Sequence, residues 1–83
     1  MNKLWILRPR VAVGFTRSPW EPWYDKTFGM IVRAVSERSA RSIAAQGCAY
    51  EGEEAWLNSD YSTCIELVPE GNAGVIMVDH ARA

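Results

Sequence analysis

The sequence predicts an α+β domain: a small, mostly antiparallel four-stranded sheet with one helix packed on one face, in the order β-β-α-β-β. Three observations carry this expectation. Residues 27–35 alternate in the period of a strand, residues 36–47 carry a capped helical pattern, and two short strand patterns flank a turn cluster near the C-terminus. With 83 residues, positions 1–83 form a single domain with no room for a second.

The first strand runs from Lys3 to Arg8. It is apolar on both faces, Leu4 and Ile6 against Trp5 and Leu7, so it is covered on both or leaves one face for a partner. Pro9 cannot donate to a ladder and ends it. Val11 to Phe15 reads as a short strand or a bulged extension of the first. Ser18 to Asp25 is a stiff aromatic loop, because Pro19 and Pro22 favour an extended path that puts Trp20 and Trp23 on one face. In the strand from Thr27 to Val35, Phe28, Met30, Val32 and Ala34 alternate with Gly29, Ile31, Arg33 and Val35.

Ser36 is a preferred N-cap, and Glu37 suits the positive first turn. Ala40, Ile43, Ala44 and Gly47 share the expected buried face, with Arg38, Arg41 and Ser42 outside. Cys48 to Asp60 is acidic and irregular, with one helical turn from Glu53 to Leu57. Ser62 to Val68 forms a strand, Pro69 to Gly74 a turn, and Val75 to Asp79 a last strand that pairs back as a hairpin.

Composition narrows the function classes. The chain is 48% hydrophobic and 23% charged, as a folded chain is, and its net charge is −1. That total hides an asymmetry: residues 1–41 sum to +5 and residues 42–83 to −6. No export signal or membrane span is visible, so the expectation is a cytoplasmic protein with no membrane partner. Cys48 and Cys64 match no zinc or redox spacing and read as reduced thiols.

Catalysis finds little support. A Cys64–His80 dyad is conceivable, but no third group or local motif accompanies it. There is no paired-carboxylate, phosphate-loop or metal-ligand pattern, so no enzyme, cofactor or metal is expected. Arg8, Arg10, Arg17, Lys26 and Arg33 fall among Trp5, Phe15, Trp20 and Trp23, a pattern that can hold single-stranded nucleic acid. The absence of a basic excess makes direct nucleic-acid binding a minor alternative.

Two features suit protein binding. Glu51, Glu53, Glu54 and Asp60 form an acidic cluster that could engage a basic groove, against the reading of a solvated loop. Trp20, Trp23 and Tyr24 are residue types that anchor interfaces, against the reading that they cap the open sheet face as core.

Several stretches carry a likeness. They are Met1-x-Lys3-Leu4-Trp5-Ile6-Leu7-Arg8-Pro9, Pro19-Trp20-Glu21-Pro22-Trp23-Tyr24-Asp25-Lys26-x-Phe28-Gly29 and Val32-Arg33-Ala34. Ser36-Glu37 before Ala40-Arg41, Trp56-Leu57-Asn58 and Ser62-Thr63-Cys64-x-Glu66-Leu67 continue it. Together these resemble a family of small uncharacterised proteins of phages and prophages, over most of the chain and least over Val11 to Arg17. The resemblance implies a cofactor-free protein acting in the bacterial cytoplasm, of a kind that often inhibits host defence, including anti-CRISPR proteins. The expected function is therefore steric and electrostatic block of a host defence complex, possible CRISPR effectors included. The carboxylates at 51, 53, 54 and 60 would face a basic groove, with Trp20 or Trp23 as anchor. A phage assembly accessory or a self-associating module, basic half to acidic half, is the alternative.

Overall fold

In a computed structural model the described residues are 1–10, 19–20 and 26–78. They form β1 (Lys3–Pro9), β2 (Met30–Ala34), α1 (Glu37–Gln46), α2 (Glu53–Leu57) and β3 (Ser62–Glu66). The α+β class is as expected. The sheet has three strands in the order β2-β1-β3, with both pairings antiparallel.

β1 is the central strand, and its sequence explains why. A strand between two neighbours has no free edge, and apolar side chains on both faces suit that place. Trp5 and Leu7 point to the helices, where they meet Val32, Ala34 and Cys64 from the flanking strands. Leu4 and Ile6 point the other way.

β2 is shorter than the alternation from Thr27 to Val35 suggests. The Thr27 N–H donates to the Glu51 carboxylate (3.0 Å) rather than to a ladder. At the other end Ser36 leaves the strand to cap α1, its hydroxyl accepting from the Ser39 N–H at 3.2 Å. The faces of β2 are as the sequence predicts: Val32 and Ala34 are buried, Ile31 and Arg33 exposed.

The buried face of α1 departs from expectation. It consists of Ala40, Arg41, Ala44 and Ala45, while Ile43 is 47% exposed and Gly47 lies on the surface. Arg41 causes the rotation. Its Nη1 donates to the Trp56 carbonyl (2.9 Å) and the Ser62 hydroxyl (2.9 Å), and its Nη2 to the Ser62 carbonyl (3.1 Å). Its Nε donates to Glu37 Oε2 (3.0 Å), one turn earlier. A guanidinium can be buried when its donors meet acceptors in this way. Three alanines then let the helix approach closely, and Trp20 and Trp56 fill the space beside it.

The expected last strand is not formed: Val75–Val78 pair with no strand, and no hairpin closes on β3. The chain after Gly71, which sits at φ +143°, turns instead toward the start of β2. A side chain at Gly29 would run into the Met77 methyl, so Met77 occupies the space that glycine leaves. The expected strand over Val11 to Phe15 lies outside the described residues.

Candidate partner-binding surface

The acidic connector between α1 and β3 is built by local backbone bonds. The Gly47 N–H closes α1 on the Ala44 carbonyl (3.0 Å). Gly52 then opens α2 at φ +85°, a conformation that favours glycine. α2 buries Ala55 and Trp56 completely and turns Glu53, Glu54 and Leu57 outward. Asn58 ends it: its N–H bonds the Glu54 carbonyl (3.0 Å), and its side chain accepts from the Asp60 N–H (2.8 Å).

The four carboxylates meet different fates. Glu53, Glu54 and Asp60 are exposed. Glu51 is buried and faces the interior. Its Oε1 accepts from the Thr27 N–H, and its Oε2 from the Ala49 N–H (3.2 Å) and Trp56 Nε1 (2.8 Å). Burial alone would raise its pKa, but the bonds from Thr27, Trp56, its own N–H and Ala49 outweigh burial and hold it below its ordinary value. Glu51 thus joins the connector to the entry of β2 and leaves the outward cluster. Nothing in the spacing of residues 51–54 distinguishes it, although Trp56 five positions on is the donor it reaches.

Trp20 is also interior. Its ring is fully buried, its Nε1 donates to the Tyr61 carbonyl (2.8 Å), and it meets Trp56 edge to face with centroids 4.9 Å apart. Trp20, Trp56 and Glu51 form one continuous wall behind the connector. Trp23 and Tyr24 lie outside the described residues. The aromatic that the connector does present is Tyr50, which is 80% exposed, and beside the acids Leu57 is exposed as well. Tyr50 was legible only as a neighbour of the acidic run.

The basic half is scattered. Lys3 pairs with Glu66 across β1 and β3 (3.5 Å) in an exposed pair of small energetic weight. Arg10 Nε donates to the Ser59 carbonyl (3.2 Å). Trp5 packs half-buried against the core and donates to the Ala34 carbonyl (3.0 Å), and Trp20 is fully buried, so the Trp20 indole offers a base no stacking platform.

Of the conceivable dyad, His80 lies outside the described residues. Cys64 is a buried free thiol, and burial pushes its pKa up despite the opposing charge of Arg41, with Glu37 adding to the rise. That is the opposite of nucleophile activation. Among the described residues no His, Cys, Asp and Glu side chains group as metal ligands, and no helix is long and apolar enough to cross a membrane. Compared with protein-family models, curated proteins and solved structures, the chain matches none of them.

Proposed function

We propose that this chain is a small protein-binding protein of phage or mobile-element origin. It acts as an inhibitor of a bacterial defence complex, by covering a cationic groove that holds nucleic acid. The carrying observation is the outer surface of the connector. Glu53, Glu54 and Asp60 stand exposed there in company with Tyr50 and Leu57, on a segment whose other side is fastened by Glu51, Trp56 and Trp20. Carboxylates steer toward a basic surface and confer salt-dependent association, while an exposed tyrosine supplies contact area with few rotamers to lose. A fastened connector presents these groups at low ordering cost. The resemblance to phage proteins supports the choice of a host defence complex as partner.

The test is capture of defence nucleoproteins from a bacterial lysate by the tagged protein, followed by titration of the captured complex. Glu53→Lys with Glu54→Lys is expected to weaken that complex by about tenfold or more and to restore its nucleic-acid binding. Unchanged affinity and inhibition in the double variant would remove the connector from the interface. A captured complex whose nucleic-acid binding is unaffected would remove the inhibitor reading.

A further inference from the structure

The two edges of the sheet are unlike. The strand order β2-β1-β3 gives β2 and β3 one outer edge each. The Leu4 carbonyl accepts from the Leu67 N–H, and the Arg10 N–H donates to the Tyr61 carbonyl, both at 2.8 Å. The even-numbered residues of β1 therefore turn their backbone groups to β3, and Lys3, Trp5 and Leu7 turn theirs to Ala34, Val32 and Met30 of β2. That alternation leaves the N–H and C=O of Ser62, Cys64 and Glu66 on the outer edge of β3, and those of Ile31 and Arg33 on the outer edge of β2.

The chain closes the β3 edge itself. The Ser62 N–H donates to the Asn58 carbonyl (3.2 Å), the Ser62 carbonyl accepts from Arg41 Nη2, and Cys64 is buried. The β2 edge has no such closure. No described residue bonds the outward backbone groups of Ile31 or Arg33. Both side chains are exposed, and the Arg33 guanidinium pairs with no described acid. Met77, seated at Gly29, marks one end of the open stretch, and Ser36, which leaves to cap α1, marks the other. Between them stands no proline and no bulge, two of the devices that blunt an edge.

We propose that the outer edge of β2 accepts an extended segment of another protein as a fourth, antiparallel strand, with an acidic residue opposite Arg33 and an apolar one opposite Ile31. Main-chain bonds to the N–H and C=O of both residues would supply the affinity, and the two side chains the selectivity. Arg33 and Ile31 point to the same face, so the incoming strand needs its acidic and apolar residues two positions apart. The antiparallel direction continues the two pairings already present and is the more stable one per residue.

Arg33 also selects against a second copy of β2 in this place. A two-fold pairing centred on Ile31 sets Arg33 against Gly29, where Met77 is seated. One centred on Val32 sets each guanidinium against an isoleucine, and one centred on Arg33 sets like charges together. None of these registers returns a carboxylate to Arg33, and like charges directly opposite are destabilising.

The probe is a threonine-rich peptide of about seven residues, with a glutamate to face Arg33 and, two positions on, a valine to face Ile31. One counterpart carries lysine for the glutamate. Two others carry backbone N-methyl groups, either on the glutamate and valine, whose N–H groups would face β2, or on the threonine between them, whose N–H would face away. In the free, isotopically labelled full chain the amides of Ile31 and Arg33 should exchange with solvent faster than that of Val32, which β1 holds. Saturation with the acidic peptide should slow exchange at Ile31 and Arg33 by about tenfold or more. The lysine peptide should bind about fivefold more weakly, and Arg33→Glu should reverse that preference. Methylation on the glutamate and valine should abolish binding, and methylation on the intervening threonine should not. Ile31→Pro removes an outward N–H without touching the ladder to β1, so it should abolish binding in a chain that circular dichroism shows to be folded.

Unchanged exchange at Ile31 and Arg33 under saturating peptide, equal binding of the acidic and lysine peptides, or indifference to the site of methylation would overturn the proposal. Slow exchange of both amides that appears without peptide as the chain is concentrated would overturn it in favour of a second copy.

Discussion

Replacing Glu51 by glutamine tests the connector's attachment directly. The carboxylate accepts three hydrogen bonds, one on Oε1 and two on Oε2. Glutamine has one acceptor oxygen. Placed where Oε2 stands, it keeps the Ala49 and Trp56 bonds and sets its NH2 against the Thr27 N–H. Each retained bond loses charge assistance, about 1 kcal/mol apiece, and the orphaned N–H adds about 1 kcal/mol more because Thr27 is half-buried and can turn to water. The sum, about 3 kcal/mol, is a large part of the roughly 4–12 kcal/mol available to a domain of this size. The expected fall in Tm at about pH 7 is roughly 12–24 °C.

The pH dependence separates charge from shape. The folded-state pKa of Glu51 lies below its ordinary 4.5, so its contribution is complete above that value and is lost as pH falls through the lowered one. Protonated Glu51 offers one acceptor and one donor, much as glutamine does. Thermal melts followed by tryptophan fluorescence should therefore show a wide gap between wild type and Glu51→Gln at about pH 7 that closes in acid. A gap of constant width down to about pH 3, or no gap at neutral pH, would refute the reasoning.

Two further outcomes follow from the interior. Arg41→Met keeps the stem's packing but orphans the Ser62 carbonyl and leaves the Trp56 carbonyl and the Ser62 hydroxyl only their 3.4 Å bond to each other, so urea unfolding should lose about 3 kcal/mol with an unchanged slope. Arg41→Lys should recover only part, because one ammonium cannot span the same acceptors; full recovery would show that charge alone matters. Titration with an aromatic disulfide should label the half-buried Cys48 first and Cys64 only as the protein opens, and equal rates would contradict the burial and raised pKa of Cys64.

What the sequence made legible was local. Ser36 and Glu37 announce the start of α1 because a cap is decided by neighbours within one turn. The single turn from Glu53 to Leu57 and the alternation of Met30 to Ala34 are legible for the same reason. What it hid was set by residues far away in the chain. Arg41 reads as a surface cation until Trp56 and Ser62 bring acceptors to it, and Ile43 reads as core until Arg41 takes its place. Glu51 cannot be told from Glu53 without the Thr27 N–H from the entry of β2. The hairpin rule for Ser62–Val68 and Val75–Asp79 rests on nearness in sequence, and it lost to the opening at Gly29 that Met77 fills. Trp20 went to the core because so short a chain needs its area, and the connector's exposed aromatic is Tyr50 instead.

The place of β1 at the centre of the sheet has a kinetic consequence. β1 is synthesised before both of its ladder partners, Met30–Ala34 and Ser62–Glu66, with no tight hairpin among them. On the ribosome its second edge must wait until Ser62–Glu66 has emerged. Both pairings close long loops before any ladder bond rewards them, which slows a chain relative to one built from local contacts. Folding should therefore be slow for so small a domain. Any cut between α1 and β3 should leave β1 with an open, apolar edge that recruits other chains rather than a smaller folded unit.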